Sequence, residues 1–141
     1  MELFLFKSYS LGKIHTLGKP ERLKSRKLID SLFQKGKSMN VFPFRVYYMF
    51  TELSADTPVQ AGVSASKKYF KRAVDRNRIK RLTREAYRLQ KIPLKEVLQT
   101  KNLQLAVFFI YTGKTIPAYT EVSEKMATII NKLSDQIVQR S

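Results

Sequence analysis

The chain has 141 residues and a formal net charge of +16 at pH 7, with 27 Lys and Arg against 11 Asp and Glu. Its length predicts a single domain, and its 43% hydrophobic residues are enough for a modest core. The absence of Cys excludes disulfides and thiolate metal sites, the single His15 excludes a cluster of histidine ligands, and no apolar run reaches the ~18 residues of a membrane span.

The first twenty residues form the least regular part of the chain. They carry Gly12, Gly18 and Pro20 without a sustained apolar period, which predicts a flexible N-terminal arm over residues 1–20. The domain itself is expected over residues 21–141. The start of the chain lacks the charged-then-apolar order of a signal peptide, so cytoplasmic residence is expected.

The first helix is predicted over residues 25–35. Four apolar side chains recur there at helical spacing, namely Leu28, Ile29, Leu32 and Phe33. Ser25 is suited to cap the start of this helix, and Gly36 is suited to its end.

Two strands should follow the first helix. Residues 41–50 are aromatic and β-branched, with Phe44, Val46, Tyr48 and Phe50 on one face and Arg45, Tyr47 and Met49 on the other. Residues 60–66 alternate small apolar residues with Gly and Ser, which predicts a second strand. The polar turn at residues 54–58 suggests that the two strands pair as a hairpin.

The rest of the chain predicts a helix, a strand and a final helix. Residues 71–90 form the second helix, and the nearly continuous apolar run at residues 103–111 fits a buried strand. The last helix follows Pro117, and its buried stripe comprises Val122, Met126, Ile129, Ile130, Leu133 and Ile137. This α-β-β-α-β-α order predicts a single-domain α+β sandwich, with helices covering the apolar face of a small sheet.

Most of the positive charge lies between residues 67 and 91. Eleven basic residues stand there against Asp75 and Glu85, so this segment carries 11 − 2 = +9 of the total of +16. Such a charge predicts a polyanionic partner: nucleic acid, an anionic membrane surface or an acidic protein. Nucleic acid is favoured, because the aromatic and β-branched segments elsewhere can cover the apolar side of the helix that a membrane helix would leave free.

On a helical wheel the second helix separates into two sides. The apolar side holds Ile79, Leu82, Ala86 and Leu89, while an arc of roughly 140° opposite it holds Arg76, Asn77, Lys80, Arg81, Arg84 and Arg88. An ordinary solvated helix mixes charges of both signs, because like charges four residues apart repel each other. The predominance of Arg on this stripe favours bidentate contacts with phosphate.

An ordered motif runs through the same segment: Ser66-Lys67-Lys68-(x)5-Val74-(x)-Arg76-Asn77-Arg78-Ile79-Lys80-Arg81-Leu82-(x)-Arg84-Glu85. It closely resembles the signature of the bacterial ribonuclease P protein subunit, and the resemblance extends over about residues 21–135. Two features depart from the family pattern. Residues 1–20 have no clear counterpart, and Phe70 replaces a smaller β-branched residue, which suggests a repacked junction before the helix.

The resemblance implies a fold and a function. The family fold is an α+β sandwich with a small mixed sheet and a left-handed βαβ crossover, like domain 2 of a ribosomal protein. The protein is the non-catalytic subunit of an endoribonuclease whose catalytic RNA removes the 5′ leader of precursor tRNA. Its expected partners are that RNA and precursor tRNA, with no membrane and no DNA, and its expected cofactor is Mg²⁺ bound mainly by the RNA.

The resemblance also assigns residues to two surfaces, and none of them is expected to be catalytic or to bind metal. We call the RNA-docking set the basic face; it comprises Lys67, Lys68, Arg72, Arg76, Asn77, Arg78, Lys80, Arg81 and Arg84. The second surface is a leader-binding cleft between the first helix and the sheet, assigned to Ile29, Phe33, Phe44 and Tyr47. We expect Tyr47 to be accessible to solvent, whereas core packing is the simpler interpretation for Phe44.

Two other functions remain open at this stage. A ribosomal protein or another structural RNA binder needs the same basic helix but no leader cleft, and stimulation of precursor-tRNA cleavage separates it from a processing subunit. A double-stranded-DNA binder is less favoured, because the sequence has neither helix-turn-helix spacing nor zinc ligands.

Overall fold

The computed structural model describes residues 17–140 of the chain. Residues 1–16 of the predicted arm therefore lie outside the described residues, and His15 is among them. A short 3₁₀ turn at Lys19–Glu21 leads into four helices and four strands. In chain order they are α1 (Arg26–Lys35), β1 (Lys37–Val41), β2 (Phe44–Phe50), β3 (Val59–Ala65), α2 (Ala73–Gln90), α3 (Ile92–Lys101), β4 (Leu105–Tyr111) and α4 (Tyr119–Gln139).

The four strands form one mixed sheet in the order β1-β2-β4-β3. The β1–β2 and β2–β4 pairs are antiparallel, and β3–β4 is parallel. The chain crosses from β3 to its parallel neighbour β4 through α2 and α3, so the α+β architecture and its βαβ crossover are confirmed. The left hand of the crossover stays an expectation from the family resemblance.

The predicted hairpin between β2 and β3 is wrong, because β4 lies between these two strands. The physical reason is the composition of β4, in which all residues except Ile110 are buried. A strand that is apolar on both faces is stable in the centre of a sheet with both faces covered. The smaller and more polar β3 takes an outer position instead.

The sheet separates two cores of unequal size. The larger core joins Phe44, Val46 and Tyr48 of β2 to the buried sides of α2, α3 and α4. The smaller core lies under α1 and contains Leu23, Leu32, Leu53, Ala106 and Phe108. Alternate residues of the two inner strands, β2 and β4, therefore belong to different cores, and the face toward α1 is only partly covered.

Two elements were missing from the sequence-based prediction. Strand β1 is mostly exposed, and its residues Lys37–Val41 carry the polar side chains that protect a sheet edge, so their apolar pattern is weak. Helix α3 carries Pro93 in its first turn, where proline costs no hydrogen bond, although a proline in sequence often marks a break. The ends of α1 agree with expectation: the Ser25 side chain accepts a hydrogen bond from the Leu28 amide at 3.2 Å, and Gly36 caps the C-terminus.

The segment before α1 is joined to the sheet. The Leu23 amide donates to the Ala61 carbonyl at 2.9 Å, and the Gln60 side chain donates to the Pro20 carbonyl at 2.9 Å. Leu17 packs against the larger core. Residues 17–20 of the predicted arm thus contact the domain. Among the helices of residues 17–140, none is long and apolar enough to cross a bilayer.

Candidate nucleic-acid interface

Helix α2 presents its basic side to solvent and buries the other side. Its buried residues are Ile79, Thr83, Ala86 and Tyr87. Leu89 was predicted to lie on the apolar side of the helix, but its side chain is 45% exposed, so this prediction is wrong. Thr83 can replace an apolar residue in the core because its hydroxyl donates to the Ile79 carbonyl at 2.9 Å, which satisfies the buried polar group.

The basic face is open to solvent along its length. Seven of its nine members are exposed and two, Arg76 and Lys80, are half-buried; the exposed ones are Lys67, Lys68, Arg72, Asn77, Arg78, Arg81 and Arg84. Within residues 17–140, Arg72 approaches Asp75 at 3.4 Å, whereas Arg78, Lys80, Arg81 and Arg84 form no ion pair with a carboxylate. The stripe therefore keeps most of its positive charge for an external anion.

Two arginines of the helix serve other contacts. Arg88 pairs with Glu85 through two hydrogen bonds of 2.5 and 3.1 Å, and this bonding raises the pKa of Arg88 and lowers that of Glu85. Arg76 donates from Nη1 to the carbonyls of Phe70 and Lys71, at 2.7 and 2.8 Å. Arg76 thus tightens the turn before α2, and its role as a phosphate contact stays a prediction.

Arg84 lies where the basic face meets a cavity beneath α1. Burial lowers the pKa of Arg84, and the positive charge of Arg22 lowers it further. The cavity has a volume of about 270 Å³ and is also lined by Lys24, Ile29 and Phe108. Three positive side chains, Arg22, Lys24 and Arg84, border this cavity without an intervening carboxylate among its lining residues, so it attracts an anion.

Next to this cavity, three aromatic rings meet between α1 and the sheet. The Phe33 ring contacts Tyr47 edge-on, with centroids 5.0 Å apart, and contacts Phe108 at 5.4 Å. Phe33 is 43% exposed and Tyr47 is half-buried, so the expected accessibility of Tyr47 is confirmed. The Arg45 guanidinium lies 5.3 Å from the centroid of the Tyr47 ring. We call this surface the aromatic cleft, formed by Ile29, Phe33, Tyr47 and Phe108.

The structure corrects one residue of the predicted cleft and adds another. Phe44 is only 1% exposed, lies on the opposite face of the sheet and packs edge-on against Tyr111, so its assignment to the cleft is wrong. Alternation along β2 already separates Phe44 from Tyr47. Phe108 was missed, although the same alternation along β4 places it on the face opposite Phe109. It lies beside Tyr47 in the register of β2 and β4.

Gly62 provides the space for Phe108. The two residues are register partners across β3 and β4. A Cβ atom on Gly62 would lie 2.7 Å from Cδ2 of the Phe108 ring, which is closer than real contacts allow. The absence of a side chain at Gly62 thus lets the Phe108 ring lie directly against β3.

Side chains of the types that ligate metal are dispersed. Residues 17–140 contain no group of three or more His, Asp or Glu side chains that could hold a metal ion.

Comparison with known proteins identifies relatives over most of the chain. Residues 17–134 match the family model described as Ribonuclease P. The ribonuclease P protein component of Porphyromonas gingivalis is 36% identical over 121 residues, covering 86% of this chain and 88% of that protein. The corresponding protein of Chlorobium phaeobacteroides is 32% identical over 130 residues, covering 85% and 89%.

Solved structures share the fold at lower identity. The RNase P protein of Staphylococcus aureus aligns with a TM-score of 0.64 at 23% identity, covering 79% of this chain and 94% of that one. The RNase P protein of Thermotoga maritima aligns with a TM-score of 0.64 at 22% identity, covering 79% and 96%. At this identity the structural likeness supports the fold alone.

Proposed function

The chain belongs to the ribonuclease P protein component family, and we propose that it binds the catalytic RNA of ribonuclease P through the basic face and the 5′ leader of precursor tRNA in the aromatic cleft. Membership in this family implies a general role in tRNA processing and a partnership with ribonuclease P RNA. The division of labour between the two surfaces is the proposal.

One observation carries this division: the two surfaces are adjacent but chemically different. Arg84 belongs to the basic face and also lines the cavity that contains Ile29 and Phe108 of the aromatic cleft. A single strand that leaves the basic face can therefore enter the aromatic cleft without losing contact with positive charge. Aromatic rings stack on any base, worth about 1–3 kcal/mol per base, so such a cleft accepts leaders of different sequence.

We assign the chemistry of cleavage to the RNA and to Mg²⁺ held by it. The protein supplies binding and orientation: the arginines of α2 neutralise phosphates that would otherwise repel each other, and Phe33 and Tyr47 hold the leader. Fixing the substrate in this way lowers the entropic cost of reaching the reactive geometry. Charge neutralisation by the protein also reduces the Mg²⁺ concentration that the RNA requires.

Reconstitution tests the function. The wild-type protein is added to its catalytic RNA at low Mg²⁺, and cleavage of precursor tRNA is followed over time. We expect stimulation by the wild type, weaker stimulation by Arg81→Ala and unchanged stimulation by Lys132→Ala, which removes an exposed charge of the same sign from α4. RNA binding without any stimulation of cleavage would contradict the proposal and favour a purely structural RNA binder.

The salt dependence of binding tests the contact set directly. Each phosphate contact that is lost should reduce the slope of log K against log salt concentration by about 0.7–0.9. We expect this reduction for Arg81→Ala but not for Lys132→Ala. Equal slopes for both variants and the wild type would remove Arg81 from the interface.

A further inference from the structure

Tyr69 is an exposed aromatic residue at the edge of the basic face. It is 41% exposed and lies in the turn between β3 and α2, between Lys68 and Phe70. Neither the docking set nor the aromatic cleft includes it. A single exposed apolar residue is ordinary on a protein surface. Two lysine ammonium groups lie near the Tyr69 ring, however, whereas the rings of Tyr47 and Phe50 each have one cation described near them.

The turn that carries Tyr69 is held from both sides. The Phe70 amide donates to the Ser66 carbonyl at 3.1 Å, and the Lys68 amide donates to the Ser66 hydroxyl at 3.1 Å. The next residue, Phe70, is buried against Tyr111, and its carbonyl accepts from Arg76 at 2.7 Å. These contacts fix the backbone on both sides of Tyr69 and hold its side chain at the surface.

Two lysines from different parts of the chain approach this ring. The ammonium groups of Lys68 and Lys114 lie 5.6 and 5.5 Å from the centroid of the Tyr69 ring. Lys114 follows β4, so the fold, not the sequence order, brings it here. An aromatic ring beside cations that can bind phosphate is the arrangement that binds a single-stranded nucleotide.

We propose that Tyr69 stacks on an unpaired base of the RNA bound by the basic face, while Lys68 and Lys114 bind the phosphates on either side of that base. The inference rests on the proposed function, since it requires RNA on this surface. Cation–π contacts at exposed sites are weaker than stacking on a base, so the base displaces the ammonium groups from the ring. Each displaced ammonium then has a phosphate as its new partner.

Fluorescence tests the stacking. The chain contains no Trp, so Tyr69→Trp introduces a single indole whose emission reports on its surroundings. We expect quenching when the catalytic RNA binds. The matched control is Val138→Trp, an exposed position at the end of α4, which should keep its emission. Inorganic polyphosphate serves as a polyanion without bases, and it should bind the Tyr69→Trp variant without quenching the indole.

To identify which RNA supplies the base, the catalytic RNA and then precursor tRNA are added to the Tyr69→Trp variant, and the indole emission is measured after each addition. Quenching by the catalytic RNA alone assigns the base to that RNA, and quenching only when precursor tRNA joins the holoenzyme assigns it to the substrate; both results support stacking. If filter retention shows that the RNA is bound but the indole emission does not change, the inference is overturned and the proposed function stays intact. Equal quenching by polyphosphate would also overturn it. Failure of the wild type to retain RNA would instead contradict the proposed function.

Affinity gives a second, independent measurement. We expect Tyr69→Ala to weaken RNA binding about tenfold and Tyr69→Phe to bind as the wild type, because stacking requires the ring and not the hydroxyl. Thermal unfolding of each variant shows whether the turn stays folded. Tyr69→Ala with wild-type affinity would overturn the inference.

Discussion

At the scale of single residues, Arg76 shows that a position on a charged stripe does not determine the role of its side chain. The helical wheel places Arg76 with the solvent-facing arginines. In the structure its Nη1 atom donates to the carbonyls of Phe70 and Lys71, which precede the helix. Arg81 is exposed, and no hydrogen bond from its side chain to the backbone is described within residues 17–140. Two arginines of one stripe therefore contribute differently to stability and to binding.

Replacement of Arg76 should lower thermal stability, whereas replacement of Arg81 should not. Arg76→Ala removes two hydrogen bonds at partly exposed sites, each with a net contribution of about 0.5–1.5 kcal/mol. We expect the Tm, measured by circular dichroism, to fall by several degrees for Arg76→Ala and to stay within about 1 °C for Arg81→Ala. Equal Tm values for the two variants would show that the bonds to Phe70 and Lys71 are unimportant in solution.

At the scale of elements, the aromatic cleft depends on the register of three strands. Tyr47 of β2 and Gly62 of β3 are both register partners of Phe108 in β4. The cleft is therefore a product of strand order, and the predicted β2–β3 hairpin would have removed Phe108 from between them. Helix α1 completes it by placing Phe33 against both rings.

Gly62→Ala should damage the cleft more than the basic face. The added methyl group would collide with the Phe108 ring, which must then shift, and overpacking of this kind costs about 1–3 kcal/mol. We expect the affinity of the holoenzyme for precursor tRNA to fall, while assembly with the catalytic RNA is retained. An equal loss of both affinities would indicate general unfolding instead.

Tyr47→Ala should weaken the binding of precursor tRNA selectively. Only the precursor carries a leader, so the loss of one stacking ring is expected to cost about 1–3 kcal/mol for precursor and nothing for mature tRNA. Holoenzyme affinities for the two RNAs measure the difference. Tyr119→Ala, at the half-buried start of α4, provides an aromatic control outside the cleft. Equal losses for precursor and mature tRNA would contradict a leader contact.

At the scale of the whole molecule, a buried ion network joins the N-terminal segment to the junction of α2 and α3. Lys91 is completely buried, and its ammonium donates to Glu21 Oε1 at 2.8 Å; Lys95 donates to the same oxygen at 3.1 Å. Burial by itself raises the pKa of Glu21, but the hydrogen bonds and the positive charges of Lys91 and Lys95 together outweigh it, so the pKa of Glu21 is lowered. Burial lowers the pKa of Lys91, and Glu21 opposes that change.

Glu21→Gln should destabilise the domain more than Lys91→Met does. The glutamine removes the negative charge that compensates two ammonium groups, and breaking a buried pair from one side costs about 3–5 kcal/mol. Lys91→Met leaves Glu21 with Lys95 and fills the same space with an apolar chain. Urea denaturation at pH 7 measures both free energies of unfolding, and equal losses would contradict this account.

The contribution of Glu21 should also depend on pH. Because the folded pKa of Glu21 is lowered, its stabilisation is complete above the unfolded value of about 4.3 and is lost as the pH falls through the folded pKa. The difference in free energy of unfolding between the wild type and Glu21→Gln should therefore shrink between pH 7 and pH 3. A constant difference over this range would show that Glu21 is not the titrating group.

The sequence by itself determined the properties that depend on local spacing. The periodicity of α1, α2 and α4, the apolar run of β4, the charge of α2 and the ordered motif from Ser66 to Glu85 are all carried by neighbouring residues, so they predicted the fold class and the family. Elements with a weak or interrupted apolar pattern were not predicted, namely the polar edge strand β1 and the proline-containing helix α3.

Only the tertiary structure decided which distant residues meet. The position of β4 between β2 and β3 brings Phe108 to Tyr47, the βαβ crossover brings Lys114 to Tyr69, and the docked N-terminal segment brings Glu21 to Lys91. It also turned Arg76 toward the backbone carbonyls that precede α2. These contacts depend on strand order and on competition for burial across the whole domain, which no local pattern of residues contains.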